Sequence, residues 1–139
     1  MTKRFLYDFI SKRQYGVVST VAPNASPESA IVGIVVTPEL EIFFDTLSTS
    51  RKYQNLLHNP SVAFVIGWDN EQSVQYEGVA GIPDANELDR WLKIYFAKFP
   101  DGKFRKDNWK DIAYVVVRPT WVRYSDFNDP PKIEEISFI

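Results

Sequence analysis

Thr46, Ser48, Thr49, Ser50, Arg51 and Lys52 set hydroxyls and two adjacent cations between a strand-forming run, Glu41 to Asp45, and a helix-forming one that ends at Asn59–Pro60. Those residue types in that order have the chemistry of a phosphate cradle. Free N–H groups and hydroxyls at a helix start donate hydrogen bonds, the helix dipole favours an anion, and the two cations add charge-assisted bonds. On its own, a hydroxyl cluster before Arg–Lys is more often a plain helix cap with solvated charges. The strand-turn-helix setting is what favours the anion site.

The rest of the composition narrows the chemistry around that site. The chain has 139 residues, 45% hydrophobic and 15% aromatic, which suits a single domain over 1–139 with a sizeable core. A net charge of −2, from 16 basic and 18 acidic residues that are scattered, gives no field for nucleic acid or an anionic membrane. There is no cysteine and one histidine, His58, so thiol catalysis, thiolate metal sites and a multi-histidine metal centre are excluded. No run is long and apolar enough for a signal peptide or a membrane span, and the expectation is a soluble, cytoplasmic protein. Side-chain acid–base chemistry at neutral pH is poorly equipped.

The elements that must position the cradle follow from periodicity. Phe5, Leu6, Phe9 and Ile10 recur at helical spacing, with Thr2 as cap. Strands are expected from Val17 to Val21, Ala30 to Val36, Leu40 to Asp45 and Ser61 to Gly67, and a long one from Ser73 to Ile82 in which Gly78 and Gly81 permit bending or bulging. Asp84 and Glu87 resemble a capping box opening a helix to Lys98, with Leu88, Trp91, Leu92, Tyr95 and Phe96 along one face. The basic stretch Lys103 to Lys110, with Lys103, Arg105, Lys106 and Lys110, reads as a solvated loop, with recognition of a substrate phosphate or a second contact to a cofactor as the lesser alternative. Ile112 to Val117 is a strand, Arg118–Pro119 interrupts it before Trp121 to Tyr124, and Asp126 to Ile139 reads as an extended tail held by Ile133, Ile136 and Phe138. The sum is a mainly β chain whose sheet closes into a small barrel.

This order of elements, the aromatic strand with Thr46, the Ser50–Arg51–Lys52 triplet, the Asn59–Pro60 stop, Ile66–Gly67–Trp68 and Glu77–Gly78–Val79–Ala80 together resemble the pyridoxamine 5′-phosphate oxidase-like, FMN-binding split-barrel family, in its short members akin to general stress proteins. The resemblance covers most of the chain. It implies a six-stranded antiparallel split β-barrel of Greek-key type and a homodimer with flavin at the subunit interface. It implies that Arg51 and Lys52 bind the FMN phosphate with help from Thr46 and Ser50, and that Ala30, Ile31, Val32 and Gly33 line the isoalloxazine ring. Gln75 would offer the flavin an amide.

The pattern also departs from the vitamin B6 enzymes of that family. They carry an arginine where this chain has Ala30, a lysine near Val35, an Arg–Gln pair near Gln72–Ser73 and a C-terminal Arg–x–His–x–Arg segment that is missing here. The resemblance therefore extends to the cofactor fold and not to the substrate. Two classes of function stay open: an FMN-dependent oxidoreductase acting on a small molecule, and a non-enzymatic flavin carrier or sensor. The same barrel using F420 is a further alternative, and haem is less favoured because His58 is the only imidazole.

Overall fold

In the computed structural model, which describes residues 1–139, four helices surround one curled sheet of eight antiparallel strands. Helix α1 (Lys3–Ser11) starts at Thr2, whose hydroxyl accepts from the Phe5 N–H at 3.1 Å, and buries Leu6, Phe9 and Ile10. Strands β1 (Tyr15–Val21) and β2 (Pro27–Gly33) form a hairpin; β3 (Val35–Val36) and β4 (Ile42–Leu47) follow. Helix α2 (Arg51–His58) leads to β5 (Ser61–Ile66) and β6 (Gln72–Gly81). Helices α3 (Ala85–Lys98) and α4 (Asp101–Asn108) precede β7 (Ile112–Asp126) and β8 (Lys132–Ser137).

The sheet runs β2-β1-β5-β6-β7-β4-β3, with β8 added to β7. Its two ends, β2 and β3, are consecutive pieces of one chain, so the curl is closed by the single residue Ile34. That is a mainly β, antiparallel split barrel, as expected, but with eight strands instead of six. The added strands have physical reasons. The expected strand Ala30 to Val36 divides because Gly33 passes under the Phe99 ring, where a Cβ would lie 2.8 Å from Cζ, and the chain there changes its partner from β1 to β4. The expected tail is β8, paired with β7 from Trp121↔Ser137 to Asp126↔Lys132. Ile136 and Phe138 pack on the core while Ile133 stays exposed.

Pro119 does not break β7. It sits opposite Gly78 at a bulge where the register jumps, with Trp121 opposite Glu77, so its missing N–H leaves no gap in the ladder. Gly78 is required there because a Cβ would fall 2.5 Å from the Arg118 carbonyl oxygen. Inside the barrel, Phe44, Phe64, Tyr76, Ile66 and Val117 form the main core. A second cluster lies outside, where Trp91, Leu92, Tyr95 and Phe99 of α3 and the loop after it cover Val35, Phe43 and Val116. The aromatic stripe of α3 is therefore packing. The cap of α3 is half of a capping box: Asp84 accepts from the Glu87 N–H at 2.8 Å, while the Glu87 carboxylate turns to Arg118.

Candidate functional site

Helix α2 packs against β1 and β2 with Leu56 in the main core, and the residue that starts it, Ser50, lies beside Thr46 of β4. Ser50 caps it, accepting from the Tyr53 N–H at 3.3 Å, and its hydroxyl meets that of Thr46 at 3.0 Å. The N–H groups of Arg51 and Lys52, first in the helix, have no acceptor within it. Beside them opens a cleft of about 430 Å³ lined by Ile31, Val32 and Gly33 of β2, Asp45, Thr46 and Leu47 of β4, and Lys52. Tyr95, Phe99, Asp101, Arg105 and Trp109 form its other wall. Burial pushes the Lys52 ammonium below the ordinary lysine range, and the charge of Asp45 pulls the other way. A cation that is already partly stripped of water binds an anion more strongly than an exposed one.

The residues singled out from the sequence are divided by the fold. Ile31, Val32, Gly33, Thr46 and Lys52 share the cleft. Ala30 points the other way, into a niche of about 90 Å³ with Thr20, Glu28, Ser29, Arg51 and Lys52. Arg51 reaches Glu28 at 2.9 Å, and Glu28 is held in place by the buried Asn55, whose amide donates to it at 2.8 Å and to Thr20 at 3.0 Å. Ser50 touches Thr46 and lines neither space.

Gln75 is not brought to the cleft. The registers Ile31↔Val17, Val17↔Val65 and Val65↔Gln75 put it in one lateral row with Ile31 on the outer face of the barrel. Three strand spacings, about 14 Å, separate the two. His58 ends α2 in an exposed position and lines neither the cleft nor the niche.

Asp45 lines the cleft without having been singled out from the sequence, and Arg105, read there first as part of a solvated loop, lines it too. The expected basic loop is helix α4, and Arg105 on it is 16% exposed, with its Nε donating to Asp45 Oδ2 at 2.9 Å. The Tyr95 hydroxyl accepts from Arg105 Nη2 at 3.3 Å; burial, then the nearby Asp45 charge, raises its pKa. Asp101 Oδ2 takes Nη1 at 2.7 Å. The i,i+4 spacing of Asp101 and Arg105 within Asp101 to Asn108 was the signal available for a helix.

Ligand chemistry can be read from this lining. A flavin mononucleotide needs phosphate donors beside a flat apolar wall. Lys52, Thr46 and the start of α2 supply the donors, while Ile31, Phe99 and Trp109 supply the wall. The residues present fit that group.

The fold is shared with solved structures of low sequence identity. A heme binding protein from Mycobacterium smegmatis superposes with a TM-score of 0.83 at 16% identity; 99% of this chain is covered but 58% of that one, so this chain spans little more than half its length. General Stress Protein 26 from Bacillus anthracis str. Sterne gives 0.71 at 22% identity, over 96% of this chain and 98% of that chain. An F420 reductase gives 0.62 at 21%, over 83% and 93%. No curated protein matches the sequence. The family model described as Pyridoxamine 5′-phosphate oxidase matches residues 3–126, from the first residue of α1 to the last of β7, and by that match the chain belongs to the pyridoxamine 5′-phosphate oxidase family.

Proposed function

We propose that this chain is an FMN-binding flavoprotein that works as a homodimer and carries out two-electron redox chemistry on a small organic substrate. The observation that carries the reading is the cleft itself, which joins Lys52, Thr46 and the start of α2 to the strip Ile31–Gly33 in one concavity. Lys52 and Thr46, with the exposed Arg51 side chain turning from Glu28, would hold the phosphate, each charged hydrogen bond contributing about 1.5–3 kcal/mol. Ile31, 67% exposed, would lie against the ring. When bound, FMN supplies the redox chemistry, which a lining without histidine, cysteine or methionine does not. With no imidazole, thiolate or thioether and only the Tyr15 and Tyr95 hydroxyls as haem-type ligands in the lining, haem stands behind FMN.

The outer face of β2-β1-β5-β6 supports the dimer. Pro27, Ser29, Ile31, Val17, Ser19, Val21, Ser61, Ala63, Val65, Gln75 and Val79 present a surface on which Glu77 is the sole charge, and no helix covers it. Depletion of charge is the mark of an interface core. Gln75 stands on that face, where a partner's flavin would meet it.

The test is the absorption spectrum of freshly purified protein, with the released chromophore weighed by mass spectrometry. An FMN mass supports the reading, an F420 mass moves the same cradle to a deazaflavin, and a colourless protein that fails to take up added FMN overturns it. In titrations of folded protein, Arg51→Ala with Lys52→Ala is expected to weaken FMN binding by about a hundredfold, the loss of two charged hydrogen bonds. Unchanged affinity would refute the site. Reduction of the bound flavin by NADH or NADPH with substrate-dependent turnover separates an enzyme from a carrier.

A further inference from the structure

The cleft holds an anion, Asp45, on the strand position next to Thr46 and within electrostatic reach of Lys52. A carboxylate there is the wrong charge for a phosphate site: it repels the ligand and competes for the cation. The fold does not leave it free. Asp45 is 14% exposed, and Arg105 arrives from α4, sixty residues along the chain, to take its Oδ2. Asp101 and Tyr95 fix two more Arg105 nitrogens, so the guanidinium is committed within the protein and is not a free ligand group. Around Lys52, the cleft presents Asp45, Asp101 and Arg105, and the niche behind presents Glu28, paired to Arg51. Each carboxylate near Lys52 thus has an arginine partner, Asp45 and Asp101 sharing Arg105 and Glu28 taking Arg51.

We propose that Arg105 is a positioning residue for the phosphate site: by holding Asp45 against α4 it keeps that carboxylate from pairing with Lys52, and Lys52 is left to a phosphate-bearing ligand. The proposal rests on the cleft taking such a ligand, FMN by the reading above. It makes Arg105 necessary for binding although its donors are spent elsewhere. It also gives the opposite charge, Asp45, a negative influence on affinity, which a purely structural ion pair would not have. Removing both members should then be milder than removing Arg105 alone.

The experiment is a double-mutant cycle read by FMN titration. Arg105→Gln is expected to weaken FMN about tenfold or more, Asp45→Asn to leave it equal or tighter, and the double variant to return to within about threefold of the parent. Arg105→Lys, which keeps the charge, should lie near the parent. A double variant as weak as Arg105→Gln overturns the proposal and leaves Arg105 a packing residue. An arm without ligand separates this from failure of the flavin reading: NMR titration of Lys52 Nζ in the free protein. Arg105→Gln should raise the Lys52 pKa and Asp45→Asn should lower it, with circular dichroism verifying the fold of each. A Lys52 pKa unmoved by Arg105→Gln overturns the proposal whether or not FMN binds.

Discussion

Single side chains in this molecule do work that their type alone does not disclose. Tyr76 is fully buried in the barrel, where its hydroxyl donates to the Leu40 carbonyl at 2.7 Å and lies 3.3 Å from that of Val117. Leu40 has φ of 65°, a left-handed conformation disfavoured for a bulky residue, at the turn that brings the chain from β3 into β4. Tyr76→Phe keeps the ring and strands a buried carbonyl, so it should cost about 1–3 kcal/mol in urea unfolding while FMN affinity stays unchanged. An unchanged midpoint would show that the turn does not need that bond. At this scale, what the sequence discloses depends on separation along the chain. Thr46, Ser50, Arg51 and Lys52 stand out because the hydroxyls and cations of the proposed phosphate cradle are neighbours in sequence at a helix start. Asp45 with Arg105, and Tyr76 with Leu40, are pairings made by the closed barrel, and neither partner carries a local sign of the other.

Secondary-structure elements were the most legible level where periodicity and capping agree, as in α1, α2 and α3, whose caps Thr2, Ser50 and Asp84 all accept the hydrogen bond their residue types suggest. The errors fall where tertiary partners decide. Arg118–Pro119 reads as a break in isolation, yet β7 continues because Gly78 lets the two backbones come close at the bulge. The two glycines of β6 can be separated by experiment. At Gly78 a methyl would meet the Arg118 carbonyl at 2.5 Å and Val117 at 2.7 Å, and backbone cannot move aside, whereas at Gly81 its nearest neighbour is the end of the Arg118 side chain at 3.8 Å. Gly78→Ala should therefore destabilise by about 1–3 kcal/mol, and Gly81→Ala should be neutral or slightly stabilising. Equal effects at the two positions in denaturant titrations would mean that the bulge, and not Gly78, absorbs the crowding. The basic segment after Pro100 shows the same rule from the other side: its pattern is too short and too polar to announce a helix, and α4 is fixed by the ion pair to β4.

At the scale of the whole molecule, closure of the sheet leaves one broad face without cover, and the fate of that face decides whether the cleft is complete. β3, β4 and the first half of β7 have α3 and α4 over them, but β2, β1, β5 and β6 turn their small and apolar residues outward. The alternation in those strands was legible in the sequence; that their outer side stays bare was not, because it depends on where the helices settle. A bare face of this composition is expected to bury itself against a second copy, placing Gln75 of one chain toward the flavin of the other. Light scattering behind gel filtration should then give a mass near twice the 16.1 kDa of one chain. Val65→Asp, at a 39% exposed position on that face, puts a charge where the single chain tolerates it and an interface does not. It should yield a folded monomer that binds FMN more weakly than the parent. A parent that is monomeric with full FMN affinity would refute both the interface and the role of Gln75, because a flavin held by one chain alone would lie about 14 Å from that amide along the sheet.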